Sequence, residues 1–452
     1  MKMFISKSNS KAFHWGLSMS DFEKLRAKIV QRKCRVCVVG LGYIGFPTAL
    51  FYKKSGNEVV GLDLNKGLIE DLRKGNLRII EDGLDELAIS VLPGIEFHSD
   101  YSDLDGIDIF VLCLPSPIDE EKTPNISYLE SSLSEIAAKA KKPILVIVES
   151  TVPVGFTESQ AVRFGQISSL KHDEQFWFVH SPERVLPGNV IREMQDNERL
   201  IGGVTEKGTE LGYLFLASVF GEDKIHKTNS RSSETTKLAE NAYRDTCIAF
   251  ANELALLSTE IGIDVREVIR LANLHPRVDI LDPGLGVGGY CVPKDGWILV
   301  NSMDSTRKLA RIIPAARHVN DSMPNHLFQR LKDKLGPQYL AIARFGVLGL
   351  AYKPNVNDTR MSPAIDLVNL LKKDGRELMV YDPYMKNNSN VKMSQNIDEI
   401  VDSCEVIILA VNHAGLSDSL LRFDLSDKVI VDPTGTLLGS RSKFSKYIGL
   451  TV

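Results

Sequence analysis

Cys291 stands in the run GLGVGGYCVPKD (284–295), among glycines and within four residues of Lys294 and Asp295. A cysteine attacks a carbonyl only as its thiolate, and a neighbouring ammonium or a set of backbone amides lowers its pKa. The run therefore reads as a nucleophile with a flexible glycine approach that admits a bulky substrate. Lys237 and Asn241 lie four apart in a helical pattern and project from one face, a cation beside an amide donor suited to a developing oxyanion or alkoxide. Glu183 in HSPERVLPG follows an apolar strand and is placed to act as a general acid or base. ESTVPVG offers the hydroxyls of Ser150 and Thr151 at another strand's end. Gly40, Gly42 and Gly45 in GLGYIG, with Asp63 ending the next strand, form a dinucleotide fingerprint. The glycines permit a tight turn and close approach of a pyrophosphate to a helix N-terminus, while the acid accepts from the adenosine ribose. An acid there disfavours an extra phosphate, so the cofactor reads as NAD rather than NADP.

These residues need a frame to hold them. A chain of 452 residues leads to an expectation of two or three domains, and 43% hydrophobic with 25% charged residues excludes disordered, collagenous and disulfide-scaffold classes. Lys+Arg 54 against Asp+Glu 58 gives a net charge of -4, which argues against a nucleic-acid or membrane protein working by bulk attraction. The six cysteines are scattered, as in a reducing compartment. Cys34 and Cys37 form a CxxC, but no second pair follows at zinc spacing, so no metal is expected. No run approaches the roughly 18 apolar residues of a membrane helix, and the N-terminus lacks a signal-peptide pattern; a cytoplasmic protein is expected.

The elements alternate. RVCVV, EVVGLDLN, IDIFVLCLP, PILVIVEST, FWFVHSPE and RLIGGV read as strands separated by helical stretches, the pattern of a parallel sheet covered on both faces. From Thr228 to about Ser322 amphipathic stretches take over. SETTKLAENAYRDTCIAFANELALLSTEIG reads as one long helix closed by a glycine, and Asp264 as the N-cap of the next. After Pro324 the first pattern returns: FGVLGLAYKP echoes VCVVGLGYIG and ELMVYDPY echoes EVVGLDLN, though the incomplete glycine pattern argues against the same ligand bound in the same way. The expected fold class is α/β, with two Rossmann-like doubly wound parallel-sheet domains joined by a central helical domain. The expected divisions are an N-terminal extension 1–33, an NAD domain 34–212, a helical domain 213–322 and a second nucleotide domain 323–452. DFEKLRAKIVQRK in the extension reads as an amphipathic helix for the first sheet or for a partner.

Together GLGYIG, LPSP, ESTVPVG, PERVLPG, KLAENAYRD, FANE, GVGGYCVPKD and GLAYKPNVNDTRMSPA resemble, in order from about Arg35 to Pro433, the UDP-glucose/GDP-mannose dehydrogenase family. The resemblance implies oxidation of the primary alcohol of a nucleotide sugar to a carboxylate, an NAD domain, a helical linker that forms a homodimer, and a domain for the UDP-sugar. It implies Cys291 as nucleophile, captured as thiohemiacetal and then thioester, with Lys237 and Asn241 assisting and Glu183 as acid/base. Thr151 and Asp295 would position the hydrolytic water. It further implies NAD contacts at Tyr43, Ile44, Pro115, Ser116, Lys294 and Arg360, besides Gly40, Gly42, Gly45, Asp63, Ser150 and Thr151. Substrate contacts would come from Arg184, Gly288, Tyr352 and Lys353, besides Glu183, Lys237 and Asn241.

For the substrate arginine upstream of the nucleophile, an ungapped count lands on His275, and Arg277 is the substitute. PERVLPG, with Pro187 where the glucose branch carries a carboxylate, points to UDP-N-acetylmannosamine or UDP-N-acetylglucosamine; GGYCVPKD is closer to the UDP-glucose pattern. Two other readings stand against this one: a two-electron hydroxyacid-type dehydrogenase, which needs no Cys291, and a catalytically silent nucleotide-sugar binding protein.

Overall fold

The β-branched run RVCVV forms β1 (Arg35–Val39), and its continuous apolar character follows from burial on both faces. In chain order β2 (Glu58–Leu62), β3 (Ile95–His98), β4 (Ile109–Leu112), β5 (Ile144–Val148), β6 (Phe176–His180), β7 (Arg199–Gly203) and β8 (Ile225–Asn229) complete an eight-stranded sheet. Its order is β3-β2-β1-β4-β5-β6-β7-β8, parallel throughout except for β6 against β7. β9 (Phe345–Leu348), β10 (Leu378–Tyr381), β11 (Val406–Leu409), β12 (Val429–Val431) and β13 (Lys446–Ile448) form a second, all-parallel sheet in the order β10-β9-β11-β12-β13. The computed structural model describes residues 19–79, 81–385 and 391–451. The fold class is the expected one, two Rossmann-like sheets and a helical middle.

Because side chains alternate across a strand, β1 feeds two cores: Val36 and Val38 enter one, Cys37 and Val39 the other. Cys34 joins the first core and Cys37 the second, so the two thiols of the CxxC lie on opposite faces of the sheet.

The long helix runs Ser230–Ile261, 32 residues without proline or internal glycine, and Gly262 ends it in the left-handed conformation at φ 79°. Asp264 caps the helix Val265–Ala272 by accepting from Arg266 N–H. The long helix packs along Ile312–Ile342, and a buried network joins them: Arg317 Nη1 lies 2.6 Å from Asp245 Oδ1, and Asn320 donates to the same oxygen at 2.8 Å.

Three expected divisions lie beside or inside packed elements. The helix Asp21–Val30 buries Leu25 and Ile29 in the first core and sets Phe22 edge-on to Trp177 at 5.9 Å, so this part of the extension belongs to the first domain. The Ser- and Lys-rich stretch before residue 19 lies outside the described residues. Residue 212 falls inside the helix Glu206–Phe220, which leads into β8, so the first sheet continues to Asn229. The short, mostly exposed β8 (IHKTN) lacks the apolar signature of a central strand. The junction at 322/323 falls inside Ile312–Ile342, which continues through Pro324 because both its flanks are packed; its break is at Gly336, φ 74°.

Candidate active site

The turn GLGYIG sits between the C-terminal end of β1 and the helix Gly45–Lys54, beside β4, where the strand order reverses. Gly40 adopts φ 90°, and a Cβ there would lie 2.6 Å from the Cys113 carbonyl oxygen; one on Gly45 would lie 1.9 Å from Gly40 O. These two glycines shape the turn itself. Around Gly42 nothing lies within 4 Å of a Cβ position, and the N–H groups of Gly42, Tyr43 and Ile44 have no hydrogen-bond partner among the described residues. Open space over free amides at a helix N-terminus fits a pyrophosphate. Asp63 accepts from Leu41 N and Asn65 N, both at 2.9 Å, and half-buried it keeps lone pairs for a ribose. The residues present fit NAD. Tyr43 also reaches across, its hydroxyl accepting from Gly188 N at 3.3 Å.

LPSP, ESTVPVG and HSPERVLPG leave the ends of β4, β5 and β6 on the same edge. Pro115 is exposed and Ser116 buried. Ser150 is a strut rather than a free hydroxyl: Leu114 N donates to it at 2.8 Å, and it faces the carbonyls of Leu112 and Leu114. Thr151 is half-buried, with no partner among the described residues. Glu234, fully buried on the long helix, accepts from Gly155 N at 2.6 Å, Thr157 N at 2.8 Å and Thr157 Oγ1 at 2.6 Å. Its carboxylate caps the helix Phe156–Ile167 and ties the turn after Thr151 to the helix that carries Lys237 and Asn241.

Cys291 lies at the N-cap of the helix Val292–Val300. Beneath it runs a buried chain: Lys294 Nζ to Asp295 Oδ1 at 2.9 Å, and Asn241 Nδ2 to Asp295 Oδ2 at 2.7 Å. Cys291 is exposed as a residue, while protein packs closely around its thiol. That crowding pushes its pKa above the ordinary thiol value, with Asp295 adding to it, while Lys294, Lys237 and Arg360 pull the other way. The expected net lowering by a neighbouring ammonium is therefore corrected. Lys294 is neutralised by Asp295, which holds the lysine's own pKa up against burial, so its field at the sulfur is largely cancelled. Lys237 is half-buried and without a hydrogen-bond partner among the described residues, a cation still available to a substrate oxygen.

The glycines before Cys291 also serve a different purpose from the expected one. A Cβ on Gly288 would lie 2.5 Å from Met361 O, and one on Gly289 2.8 Å from the Tyr352 ring. They let the segment dock against the third domain, and Gly289 N donates to Arg360 O at 2.9 Å. Arg360 lies over the Tyr290 ring at 4.8 Å and pairs with Asp358 at 2.6 Å. Lys353 donates to Pro187 O at 2.6 Å, closing the third domain onto the PERVLPG turn. The carboxylate of Glu183 turns onto Arg199 at 2.8 Å, and Arg184 pairs with Glu240 of the long helix at 2.8 Å. Arg277 is not brought into this cluster. It and His275 are exposed beyond the helix Val265–Ala272, with Arg277 Nη2 3.5 Å from His275 Nε2. Sequence reasoning missed Glu81, which fixes the PERVLPG turn through Gly188 N (2.6 Å) and Val190 N (3.1 Å), as well as Glu149, Arg199 and Glu234. Of these, Glu149 alone left a trace, a carboxylate directly after the apolar run of β5.

Residues 34–217 match the NAD binding domain, 231–322 the central domain and 346–437 the UDP binding domain of the UDP-glucose/GDP-mannose dehydrogenase family. The chain belongs to that family. It is accordingly an NAD-dependent nucleotide-sugar dehydrogenase. It is 38% identical over 386 residues to UDP-N-acetyl-D-mannosamine dehydrogenase of Pyrococcus horikoshii, covering 84% of this chain and 89% of the relative. It is 35% identical over 420 residues to NDP-N-acetyl-D-galactosaminuronic acid dehydrogenase of Ralstonia nicotianae, covering 88% and 95%. The solved UDP-D-ManNAc dehydrogenase from Pyrococcus horikoshii superposes with a TM-score of 0.83 at 35% identity, covering 92% of this chain and 99% of that one. No helix among the described residues is long and apolar enough to cross a membrane.

Proposed function

We propose that the protein oxidises the primary alcohol of a UDP-N-acetylhexosamine, UDP-N-acetylmannosamine or UDP-N-acetylglucosamine, to the uronic acid through covalent capture on Cys291. The observation that carries this reading is the exposed Cys291 next to the Lys294–Asp295–Asn241 chain, with Lys237, which has no hydrogen-bond partner among the described residues, close enough to act on the thiol. NAD, when bound, accepts a hydride in each of two oxidations.

Lys237 stabilises the developing alkoxide while Glu183 takes its proton. Cys291 then adds to the aldehyde, and the resulting thiohemiacetal keeps that reactive group in place during cofactor exchange. Because the free thiol's pKa is raised, the proton passes from the sulfur to the aldehyde oxygen as the C–S bond forms and the carbonyl π bond breaks, and the Lys237 charge favours that step. Asn241, held by Asp295, donates to the thiohemiacetal oxygen. After the second oxidation Thr151 and Asp295 orient the water that hydrolyses the thioester, which releases the acid and restores the thiol. Gly40, Gly42, Gly45, Asp63 and Arg360 would hold the cofactor, and Lys353 the substrate from the third domain.

The exposed stripe Tyr243, Phe250, Leu257 and Ile261 on the long helix supports a homodimer in which a second copy covers it. Light scattering would then give twice the 50.2 kDa chain mass.

The test is NADH formed per sugar consumed, with UDP-N-acetylmannosamine, UDP-N-acetylglucosamine, UDP-N-acetylgalactosamine and UDP-glucose compared side by side and Cys291→Ala as control. Two NADH per sugar from an N-acetylmannosamine or N-acetylglucosamine substrate, lost in the variant, is expected. One NADH per sugar, or turnover without Cys291, overturns the covalent route.

A further inference from the structure

Behind the PERVLPG turn lies a carboxylate that none of these roles uses. Glu149 closes β5 one residue before Ser150 and is 6% exposed. Its Oε2 accepts from Cys113 Sγ at 3.0 Å. Val148 of β5 pairs with His180 of β6, so Glu149 and the buried Glu183 leave neighbouring strand ends; Arg199 Nη1 lies 2.8 Å from Glu183 Oε2, and Arg184 N donates to Glu183 Oε1 at 2.7 Å. Arg199 is itself buried and stacks its guanidinium 3.8 Å from the Phe220 ring centroid. Tyr52, fully buried on the helix Gly45–Lys54, is the remaining titratable group facing the cluster.

The charges do not balance. Two carboxylates and one guanidinium, that of Arg199, are buried in this cluster, where an uncompensated charge is strongly disfavoured. Burial holds both Tyr52 and Cys113 in their neutral, protonated forms, so neither can offset the excess. The balance is restored when the carboxylate pair keeps one proton. Glu183 has the guanidinium and a backbone N–H, whereas Glu149 accepts from a thiol, a weak partner for a charge; the proton therefore rests on Glu149.

We propose that Glu149 is a positioning residue for Glu183: it holds the one proton the buried pair carries, and its ionisation draws the Arg199 guanidinium away from Glu183. Burial first, then the Glu183 charge, push Glu149 up to about 7, inside the working range of an enzyme. While Glu149 is neutral, Glu183 faces Arg199 alone. Once Glu149 ionises, it competes for that guanidinium and loosens its hold on Glu183. The inference rests on the acid/base role proposed for Glu183.

The experiment compares wild type, Glu149→Gln, Glu149→Asp and Glu183→Gln in two readouts. In kcat against pH, wild type shows an inflection near 7 that Glu149→Gln loses and Glu149→Asp regains at a shifted position. In thermal unfolding against pH, the folded chain binds the Glu149 proton more tightly than the unfolded chain. Wild type therefore loses stability relative to Glu149→Gln as pH rises from about 5 to 8. An unchanged inflection in Glu149→Gln, or a pH-independent difference in melting temperature, overturns the proposal. Glu183→Gln separates the two readings: a loss of 100-fold or more in kcat upholds the acid/base role on which the proposal rests, and full activity removes it even where the unfolding difference still follows pH.

Discussion

The two Rossmann-like units begin alike and end differently. Gly40 and Gly349 occupy the same place after the first strand of each sheet, at φ 90° and 84°, with a Cβ position 2.6 Å from Cys113 O in one and 2.5 Å from Val411 O in the other. In both, the acid ending the second strand accepts from the next backbone N–H: Asp63 from Leu41 at 2.9 Å, Asp382 from Leu350 at 2.7 Å. Beyond that point the second unit closes. Ala351 stands where Gly42 leaves space, Ala351 N also turns onto Asp382 at 3.3 Å, and Tyr352 N bonds Asp358 O at 2.9 Å. His413 Nδ1 accepts from Asn355 N, so its Nε2–H donates to the fully buried Asp382. The helix that starts at Gly45 in the first unit starts at Pro363 in the second. One turn keeps its amides free for an anion; the other uses them internally and offers its insertion, with Tyr352, Lys353 and Arg360, to the cleft. The same architecture gives a cofactor cradle or a docking surface according to whether the amides are left unpaired.

The largest effect tests the shared part. Gly40→Ala and Gly349→Ala should each destabilise the chain by about 2–4 kcal/mol, because a Cβ at positive φ meets a backbone carbonyl in both. Urea unfolding reads this, and a variant that leaves stability intact would break the equivalence of the two turns. Next, Asp382→Asn should remove about 2 kcal/mol, since it disturbs a buried acceptor of several hydrogen bonds. Burial opposes the Asp382 charge, but the bonds from His413, Leu350 and Tyr384 hold its pKa below the ordinary carboxylate value. The stability it supplies is therefore full above about pH 4 and lost as pH falls through the lower folded value. The difference between wild type and Asp382→Asn should shrink accordingly in unfolding curves taken between pH 6 and 3.

The smaller effects test what separates the units. Gly42→Ala makes the first turn resemble the second at one position, and nothing obstructs the added methyl group. The melting temperature should hold while NAD affinity falls at least tenfold, about 1.4 kcal/mol, in a fluorescence titration. Unchanged affinity would show that the open space at Gly42 is not where the cofactor lies. Smallest, Asp63→Asn should weaken NAD by about 1 kcal/mol and raise the NADP-to-NAD preference, measured as a ratio of kcat/KM values.

Much of this was legible in the residues. The glycine turn, the two acids ending the second strands, the long helix with its Gly262 stop and the Asp264 cap are local features, each written in a few consecutive side chains. The repeat of the first unit in the third domain was visible for the same reason. The extent of the first sheet was not, because β8 (IHKTN) is a mostly exposed edge strand, recognised only through its pairing with β7.

The sequence by itself determined which groups could do chemistry; only the tertiary structure decided which remain available. Lys294 and Lys237 look equivalent as cations near Cys291, yet one is neutralised by Asp295 and the other has no hydrogen-bond partner among the described residues. Arg184 is taken by Glu240, Lys353 by Pro187 O, and Glu183 by Arg199. Asn241 serves Asp295 from 54 residues away. Backbone conformation depends on neighbours in the chain, so turns and helices can be read from short runs. A charge depends on its partners in space and on the water excluded around it, and those are set only when distant segments meet.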